Sequence, residues 1–246
     1  MSEVLVTGAA GAVGQPVCAE LLRRGFTVRA FDRTPSPLGT TILTGDLVDP
    51  EAVRRAAAGV QCIVHLAAEP RDQAFPELVA PNVIGLFHVM DAARLEGAAR
   101  VILASSIQVL SRRPKDAGPA SVTERSPGNH YALTKVWAEE MGAMYARRYG
   151  LSVLAVRIAW MVRNLDEALS MQAKGFFDLY LSRNDVGRFF AQAVSAPDIS
   201  FAVLYAASRG AERRFDMEPA RRLIGYEPVD TWPEGLGFAL PEASPA

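Results

Sequence analysis

The chain has 246 residues, of which half are hydrophobic and 22% are charged, with a formal net charge of −1. This balance predicts one soluble globular domain, and it gives no broad electrostatic attraction to nucleic acid or to an acidic membrane. No run looks long and apolar enough to span a bilayer, and Cys18 and Cys62 lack metal-like spacing. We therefore expect a cytoplasmic protein with a small-molecule substrate and without a metal site.

Apolar strands and amphipathic helices alternate through the first part of the chain. The pattern predicts strands at 3–7, 27–31, 41–43, 62–66, 101–104 and 151–156, and helices at 13–24, 50–58, 78–94 and 131–149. Because the strands are apolar on both faces, they predict a parallel sheet with helices on both sides. With right-handed crossovers, the fold class is α/β with a doubly wound parallel sheet, the Rossmann fold.

The alternation stops after residue 157. Aromatic residues scattered among polar ones predict a folded loop region at 158–184, and a helix at 185–194 and a strand at 201–206 follow. A Pro-rich segment closes the chain. We predict a single domain over 1–246, with a core from about 1–157 plus 185–207 and a small C-terminal substrate-binding lobe from 158–184 and 208–246.

Three glycines lie between the first strand and the first helix, in the spacing Gly-x-x-Gly-x-x-Gly. Gly8 permits a tight turn, and Gly11 lets the backbone approach a pyrophosphate at the helix N-terminus. Gly14 lets the helix pack closely on the strand. The strand-turn-helix setting predicts a dinucleotide site with contacts from Gly8, Ala10, Gly11, Ala12, Val13 and Gly14.

Acidic residues follow the next two strands. Asp32 ends the second strand, where a carboxylate can bind both hydroxyls of the adenosine ribose, which favours NAD over NADP. Arg33 beside it is able to turn toward a 2′-phosphate, so NADP stays an alternative. Asp46 and Leu47, after the third strand, are weaker candidates for contact with the adenine, since Gly45-Asp46 is also typical of a turn.

Tyr131 and Lys135 are four residues apart on a predicted helix and therefore share one face. A tyrosine pKa is ordinarily near ~10, and a positive charge close by favours the phenolate and lowers that value. Ser105 and Ser106 stand at the end of the fifth strand, where a hydroxyl is able to hold a substrate oxygen. These groups suit the oxidation of an alcohol or the reduction of a carbonyl.

Together the motifs resemble the extended short-chain dehydrogenase/reductase family, also called the NAD-dependent epimerase/dehydratase family, over residues 4–207. They are the turn at 7–14, Asp32, Gly45-Asp46-Leu47, the run at 65–68, Asn82 with Gly85, Ser105-Ser106, Tyr131 with Lys135, and Asp185-Val186. The resemblance implies that Tyr131 is the acid/base and that Lys135 lowers its pKa and binds the nicotinamide ribose. It further implies that Ser106 holds the reacting oxygen with Ser105 as its alternate, that Asn82 helps to position Lys135, and that Leu66, Ala67 and Ala68 lie along the cofactor.

Within the family, the length and three local segments are most similar to uronate dehydrogenases. The chain departs from them where Ile107-Gln108 replaces Asn-His after the serine, and where Ala159-Trp160-Met161 replaces small hydroxyl residues. Each sugar hydroxyl left without a hydrogen-bond partner against these apolar residues costs roughly 1–3 kcal/mol of binding free energy. A hydroxyl-poor or partly apolar substrate therefore fits better. Predicted substrate contacts are Ser105, Ser106, Gln108, Trp160 and Arg163; Arg163, Lys174 and Arg71 are candidate anion partners or solvated surface charges.

The leading hypothesis is an NAD-dependent oxidoreductase acting on a small alcohol, aldose or hydroxy acid. One alternative is a nucleotide-sugar epimerase or dehydratase that recycles its NAD, against which the short C-terminal lobe weighs. Another is a non-catalytic NAD(P)-binding regulator, although such proteins often lose the tyrosine or the lysine. The resemblance also implies a homodimer through the helices at 78–94 and 131–149, with Val136, Met141 and Met144 as candidate contacts or core residues.

Overall fold

A computed structural model describes residues 3–114 and 117–241. Its single parallel sheet has the order β3-β2-β1-β4-β5-β6-β7. The strands are β1 (Glu3–Thr7), β2 (Thr27–Asp32), β3 (Thr41–Thr44), β4 (Cys62–His65), β5 (Arg100–Ser106), β6 (Ser152–Ile158) and β7 (Phe201–Ala206). The α-helices are α1 (Gly14–Arg23), α2 (Pro50–Ala57), α3 (Phe75–Leu78), α4 (Gly85–Leu95), α5 (His130–Tyr149), α6 (Leu165–Lys174), α7 (Arg183–Ser195) and α8 (Glu218–Ile224).

Alternating side chains of each strand enter two cores on opposite faces of the sheet. On β1, Val4 and Val6 pack toward α1, α7 and α8, whereas Leu5 packs toward α2, α4 and α5. The chain reverses its direction of winding between β1 and β4, which are neighbours in the sheet. The predicted doubly wound fold is therefore confirmed, and its crevice lies beyond the carboxyl ends of these central strands.

The helix predicted at 78–94 is one continuous helical path that begins earlier and contains a π-helical turn, Val79–Ile84. Pro81 lies in that turn, and since proline cannot donate an N–H, regular α-helical bonding is interrupted there. By length and mean hydropathy, Phe75–Leu95 passes as a membrane span, contrary to the expectation that no segment would. However, 44% of its apolar window is buried, and α4 packs on α2, β4 and β5 as a core helix does.

Two helices were not expected from the sequence. The region at 158–184, predicted as a loop, contains α6, and α8 lies in the closing segment. The prediction was wrong although the local signals are present: Asn164 caps α6 by accepting from the Glu167 N–H (2.9 Å), and Gly175 ends it in the left-handed region. A small third core joins this region to the C-terminal segment; it comprises Val162, Ala168, Met171 and Tyr180, with Trp160, Phe176, Trp232, Leu236, Phe238 and Leu240 packed against it.

The candidate dimer contacts on α5 divide between the inside and the outside of the molecule. Val136 and Met141 pack against the two main cores, whereas Met144 is partly exposed. Two large apolar side chains on α5 that the sequence did not single out are half exposed, namely Leu133 and Trp137. The apolar surface on the outer face of α5 therefore comes mainly from Leu133 and Trp137, and not from the predicted Val136 and Met141.

Candidate active site

A cavity of about 670 Å³ extends along the carboxyl ends of the strands, within the size range of small-molecule sites. Every predicted cofactor residue except Asn82 lines it, and so does every predicted substrate residue. The structure therefore brings the glycine turn, the acidic residues and the Ser-Tyr-Lys group to one continuous surface. Further lining residues that the sequence did not assign as contacts are Phe31, Thr34, Gly45, Pro70, Pro81, Ala104, Ile107, Ile158, Ala159, Met161 and Leu179.

The glycine turn depends on close approach of backbone to backbone. Gly8 has φ +74°, and a Cβ there would stand 2.6 Å from the Ala67 nitrogen. A Cβ on Gly14 would stand 2.1 Å from the Gly8 carbonyl oxygen, which no real contact allows. No side chain caps the N-terminus of α1. The positive dipole end of this helix consequently favours a phosphate at this edge of the cavity.

Asp32 lies at the end of β2 and faces the cavity. Its carboxylate accepts from the Ala10 N–H (3.1 Å) and from the Thr34 N–H (3.3 Å), which ties the glycine turn to the end of the strand. A carboxylate has about four acceptor positions, so capacity remains for ribose hydroxyls. Arg33 lines the same cavity, while Asp46, also a lining residue, accepts from the Val48 N–H (3.1 Å) within its turn.

Tyr131 and Lys135 project from α5 into the same cavity, and both are nearly fully buried. The Lys135 Nζ lies 5.5 Å from the centroid of the Tyr131 ring and donates to the Ala104 carbonyl (3.0 Å). The Ser106 hydroxyl interacts with the Tyr131 phenol. Asn129 caps α5 by accepting from the Ala132 N–H (2.7 Å), so the tyrosine stands in the first turn of a well-anchored helix.

The pKa of Tyr131 shifts in the direction opposite to the sequence-based expectation. Burial of the phenol raises its pKa, and the Ser106 hydroxyl and the charge of Arg163 oppose this only in part. Lys135 does not reverse the shift, because its ammonium is directed to the Ala104 carbonyl and burial lowers its own pKa to about 8. At neutral pH the site therefore holds a protonated phenol beside a protonated amine.

Asn82 lies behind the cavity wall, in the π-helical turn. Its amide binds both backbone groups of Glu69, accepting at 2.8 Å and donating at 3.0 Å, and also donates to the Thr134 hydroxyl (3.2 Å). Thr134 in turn donates to the Tyr131 carbonyl (2.7 Å). Asn82 thus contacts α5 through Thr134, and its amide is occupied by protein groups rather than directed into the cavity.

The two neighbouring serines have different partners. The Ser105 hydroxyl donates to Glu139 (2.8 Å), which forms a two-point ion pair with Arg157 at 2.7 and 2.9 Å. Both ionic side chains are fully buried. Ser105 lines the cavity, but its hydroxyl is bound to this pair, whereas the Ser106 hydroxyl interacts with the Tyr131 phenol. The sequence signal that was missed is an arginine inside the otherwise apolar strand β6.

Only one of the three candidate anion partners reaches the cavity. Arg163 lines it and donates to Glu167 (2.9 Å from Nε), whereas Arg71 pairs with Glu69 (2.8 Å) outside the lining. Lys174 is exposed at the end of α6, away from the lining. Arg71 and Lys174 therefore fit the alternative interpretation, that of solvated surface charges, and Arg163 is the candidate anion partner that remains.

His65, at the end of β4, is a buried group whose role the sequence did not assign. Its Nδ1 is 2.8 Å from the Thr7 hydroxyl, at the end of the neighbouring strand β1. Burial, reinforced by the charge of Lys135, lowers its pKa to about 3. The ring is therefore neutral at physiological pH and serves as a fixed hydrogen-bonding partner of the β1 end.

Comparison with known proteins agrees with this geometry. The model of the NAD dependent epimerase/dehydratase family matches residues 4–162. A uronate dehydrogenase of Pseudomonas putida is 29% identical over 234 residues, covering 94% of this chain and 85% of the relative. An L-arabinose 1-dehydrogenase (NAD(P)(+)) of Haloferax volcanii is 32% identical over 251 residues, covering 94% of this chain and 97% of the relative.

Solved structures give the same result for the fold. The glucuronic acid dehydrogenase of Chromohalobacter salexigens superimposes with a TM-score of 0.82 at 26% identity, covering 94% of this chain and 85% of that one. A uronate dehydrogenase mutant from Agrobacterium tumefaciens, solved with NAD, gives a TM-score of 0.81 at 26% identity, with the same coverage. The predicted enzyme class, a dehydrogenase of the short-chain type, is confirmed by these relatives. The ordered motifs, the sheet and the match over most of the chain show that the protein belongs to the NAD-dependent epimerase/dehydratase family.

Proposed function

We propose that this protein is an NAD-dependent oxidoreductase that transfers a hydride between the nicotinamide and a small alcohol, aldose or hydroxy acid. The observation that carries the proposal is the meeting of Ser106, Tyr131 and Lys135 in one cavity with the glycine turn. The related uronate and arabinose dehydrogenases support the same reaction class.

The residues present fit a dinucleotide. The N-terminus of α1 has no side-chain cap, which suits the pyrophosphate. Gly8 and Gly14 have no side chains, so the backbone is accessible where that group approaches. The carboxylate of Asp32 suits the ribose hydroxyls and favours NAD, while Arg33 keeps NADP as a second possible cofactor. Bound there, the nicotinamide supplies the hydride donor or acceptor.

The protein groups handle the proton. In carbonyl reduction, Tyr131 donates its phenol proton to the carbonyl oxygen as the hydride reaches the carbon, and Ser106 holds that oxygen. The alcohol formed has gained one hydride and one proton, so the reaction is balanced. In oxidation, Tyr131 has to accept the proton as phenolate, which its raised pKa disfavours at neutral pH. Lys135, with a pKa of about 8, supplies positive charge beside the reacting oxygen.

A Tyr131→Phe variant tests this assignment. Loss of the proton-transfer group lowers kcat by about 10²–10⁴-fold, whereas NAD binding, followed by fluorescence titration, stays within a few-fold of wild type. Tyr149→Phe is the matched control, since Tyr149 is a half-exposed tyrosine at the other end of the same helix. Near-native turnover of Tyr131→Phe on an identified substrate would show that the role is wrong.

The adjacent serines provide a second, finer test. Ser106→Ala removes the hydroxyl that interacts with the phenol and is expected to lower kcat more than it lowers stability. Ser105→Ala removes a donor to the buried Glu139 and is expected to lower the melting temperature more than kcat. The reverse pattern in the two variants would assign the reacting oxygen to Ser105.

Net cofactor conversion separates the proposal from its alternatives. A dehydrogenase accumulates NADH in step with oxidised product, whereas an epimerase or dehydratase that recycles its NAD forms product without net NADH. A binding regulator takes up NAD with no product at all. Absorbance at the nicotinamide band, measured together with product analysis, distinguishes the three.

We also propose a homodimer formed by the outer faces of α4 and α5. Phe87, Leu133 and Trp137 are each about half exposed on these helices and supply apolar surface that a second copy would cover. Trp137→Glu is expected to shift the molar mass measured by light scattering from the dimer to the monomer. A wild-type protein that is monomeric at micromolar concentration would contradict the proposal.

A further inference from the structure

We infer that the substrate of this site is a hydroxyl-poor compound, namely a ketone with hydrocarbon substituents or the secondary alcohol that corresponds to it, rather than a sugar acid. The inference rests on the proposed function and specifies its substrate. It depends on the composition of the cavity wall next to Ser106 and Tyr131, on the fixed backbone of that wall, and on the partners already bound to its polar groups.

The wall beside the reacting groups is formed by apolar side chains. Ile107 follows Ser106 directly, and Ile158 is the residue paired with Ser106 across β5 and β6. The wall is completed by Trp160, Met161 and Leu179. A substrate whose oxygen reaches Ser106 therefore has hydrocarbon surface on the sides where it meets these five residues.

The wall is held in place by backbone hydrogen bonds. The Trp160 N–H donates to the Leu179 carbonyl (2.7 Å), and the Leu181 N–H donates to the Trp160 carbonyl (3.1 Å). Trp160 also packs against the small core that joins the C-terminal segment to this region. The Trp160 backbone is therefore fixed by a β-bridge with Tyr180, and its side chain is held by packing, so the indole does not withdraw easily to admit a polar ligand.

The polar side chains near this wall already have partners. The Gln108 Oε1 accepts from the Asn129 amide (3.1 Å), the Ser105 hydroxyl donates to Glu139, and the Arg163 guanidinium pairs with Glu167. A polyhydroxylated ring would lose its bound water and meet mostly apolar side chains on this side, and each unpaired hydroxyl weakens binding. A hydrocarbon ring or branch has no hydrogen bonds to water to lose, and its transfer out of water favours binding.

The size of the cavity favours a small substrate. Its volume of about 670 Å³ has to hold the cofactor as well as the substrate, since the glycine turn and Tyr131 line the same space. A compound of one ring or a short branched chain is therefore the class that fits.

The experiment compares six-membered rings that differ in their hydroxyl content. Initial rates of NADH formation are measured with cyclohexanol, 1-phenylethanol, glucuronate, galacturonate and myo-inositol. In parallel, the melting temperature of the NAD-loaded protein is measured with each compound. We expect kcat/KM for the better hydrocarbon alcohol to exceed that for each polyhydroxylated compound at least tenfold, with a larger thermal shift. A sugar acid that is oxidised with the higher kcat/KM, or that gives the larger shift where turnover is absent, would overturn the inference.

A wall variant supplies the second arm. Trp160→Ser places a hydroxyl in the wall and is expected to move the ratio of kcat/KM values at least fivefold toward the sugar acids. Ile42→Ser, which changes a half-exposed apolar residue on β3 outside the cavity, is the control and should leave that ratio unchanged. If Trp160→Ser leaves the ratio of kcat/KM values unchanged, the wall does not select between hydrocarbon alcohols and sugar acids, and the inference is overturned. Failure of the proposed function looks different: NAD binds, but no alcohol of either group yields NADH.

Discussion

The two ends of the cavity are built in different ways. At the cofactor end, backbone meets backbone: Gly8 and Gly14 are required because a side chain at either would enter main-chain atoms. At the substrate end, side chains determine the surface, and a buried ion pair, Glu139 with Arg157, lies beneath Ser105. Close backbone packing restricts a few positions to glycine, whereas the residues of a side-chain wall are able to be substituted without moving the main chain.

Breaking the ion pair below the substrate end should have the largest effect on stability. Glu139→Gln leaves Arg157 buried without its charged partner, which costs about 3–5 kcal/mol of unfolding free energy. Chemical denaturation measures this loss. The control is Glu96→Gln, which removes a pair with the half-exposed Arg54 and costs less than about 1 kcal/mol. Equal losses in the two variants would mean that burial does not distinguish the pairs.

At the cofactor end, Gly14→Ala should damage both the fold and NAD binding. The added methyl meets the Gly8 carbonyl oxygen at 2.1 Å, and forcing the turn apart costs about 1–3 kcal/mol. Gly59→Ala is the control, since Gly59 has φ +74° with open space around it and is strained without any clash. Both variants lose stability, but only Gly14→Ala should lose affinity for NAD in a fluorescence titration. Unchanged affinity in Gly14→Ala would remove the turn from the cofactor site.

Acid should lower the stability of the fold through His65, which is buried at the end of the central strand β4. Its pKa falls from the ordinary 6.5 to about 3 on folding, so between these values the unfolded chain binds a proton that the folded chain excludes. Stability is therefore complete above pH 6.5 and declines as the pH falls, by at most about 1.4 kcal/mol per pH unit. Denaturation of wild type and His65→Gln between pH 7 and 4.5 should show a shallower decline in the variant. Parallel curves would contradict this.

The smallest effect concerns the pH dependence of carbonyl reduction. With a pKa of about 8 for Lys135 and a raised pKa for Tyr131, both groups are protonated at neutral pH. The reduction rate should change by less than about twofold from pH 6 to 7.5 and fall above pH 8, where Lys135 loses its proton. Lys135→Met should be slower and lack the decline near pH 8. A wild-type rate that rises above pH 8 would contradict the assigned protonation states.

Much of the fold was predictable because its signals are local. The period of the apolar residues and the glycine turn both follow from neighbouring residues, and the structure has both of them. The prediction failed at α6, where aromatic residues obscured a short helix that its caps do mark. The π-helical turn around Pro81 was also missed, because it requires a helix to continue through a residue that ordinarily ends one.

For the site, the sequence by itself determined which residue types are present and in what order: a bare turn for a phosphate, a carboxylate after β2, and a Tyr-Lys pair on one helical face. Only the tertiary structure decided which of two adjacent serines faces the phenol and that burial raises the Tyr131 pKa. It also decided that Arg163, and neither Arg71 nor Lys174, reaches the cavity. The physical reason is that spacing along the chain sets local conformation, whereas burial, pairing of charges and the lining of a cavity depend on segments that are distant in sequence.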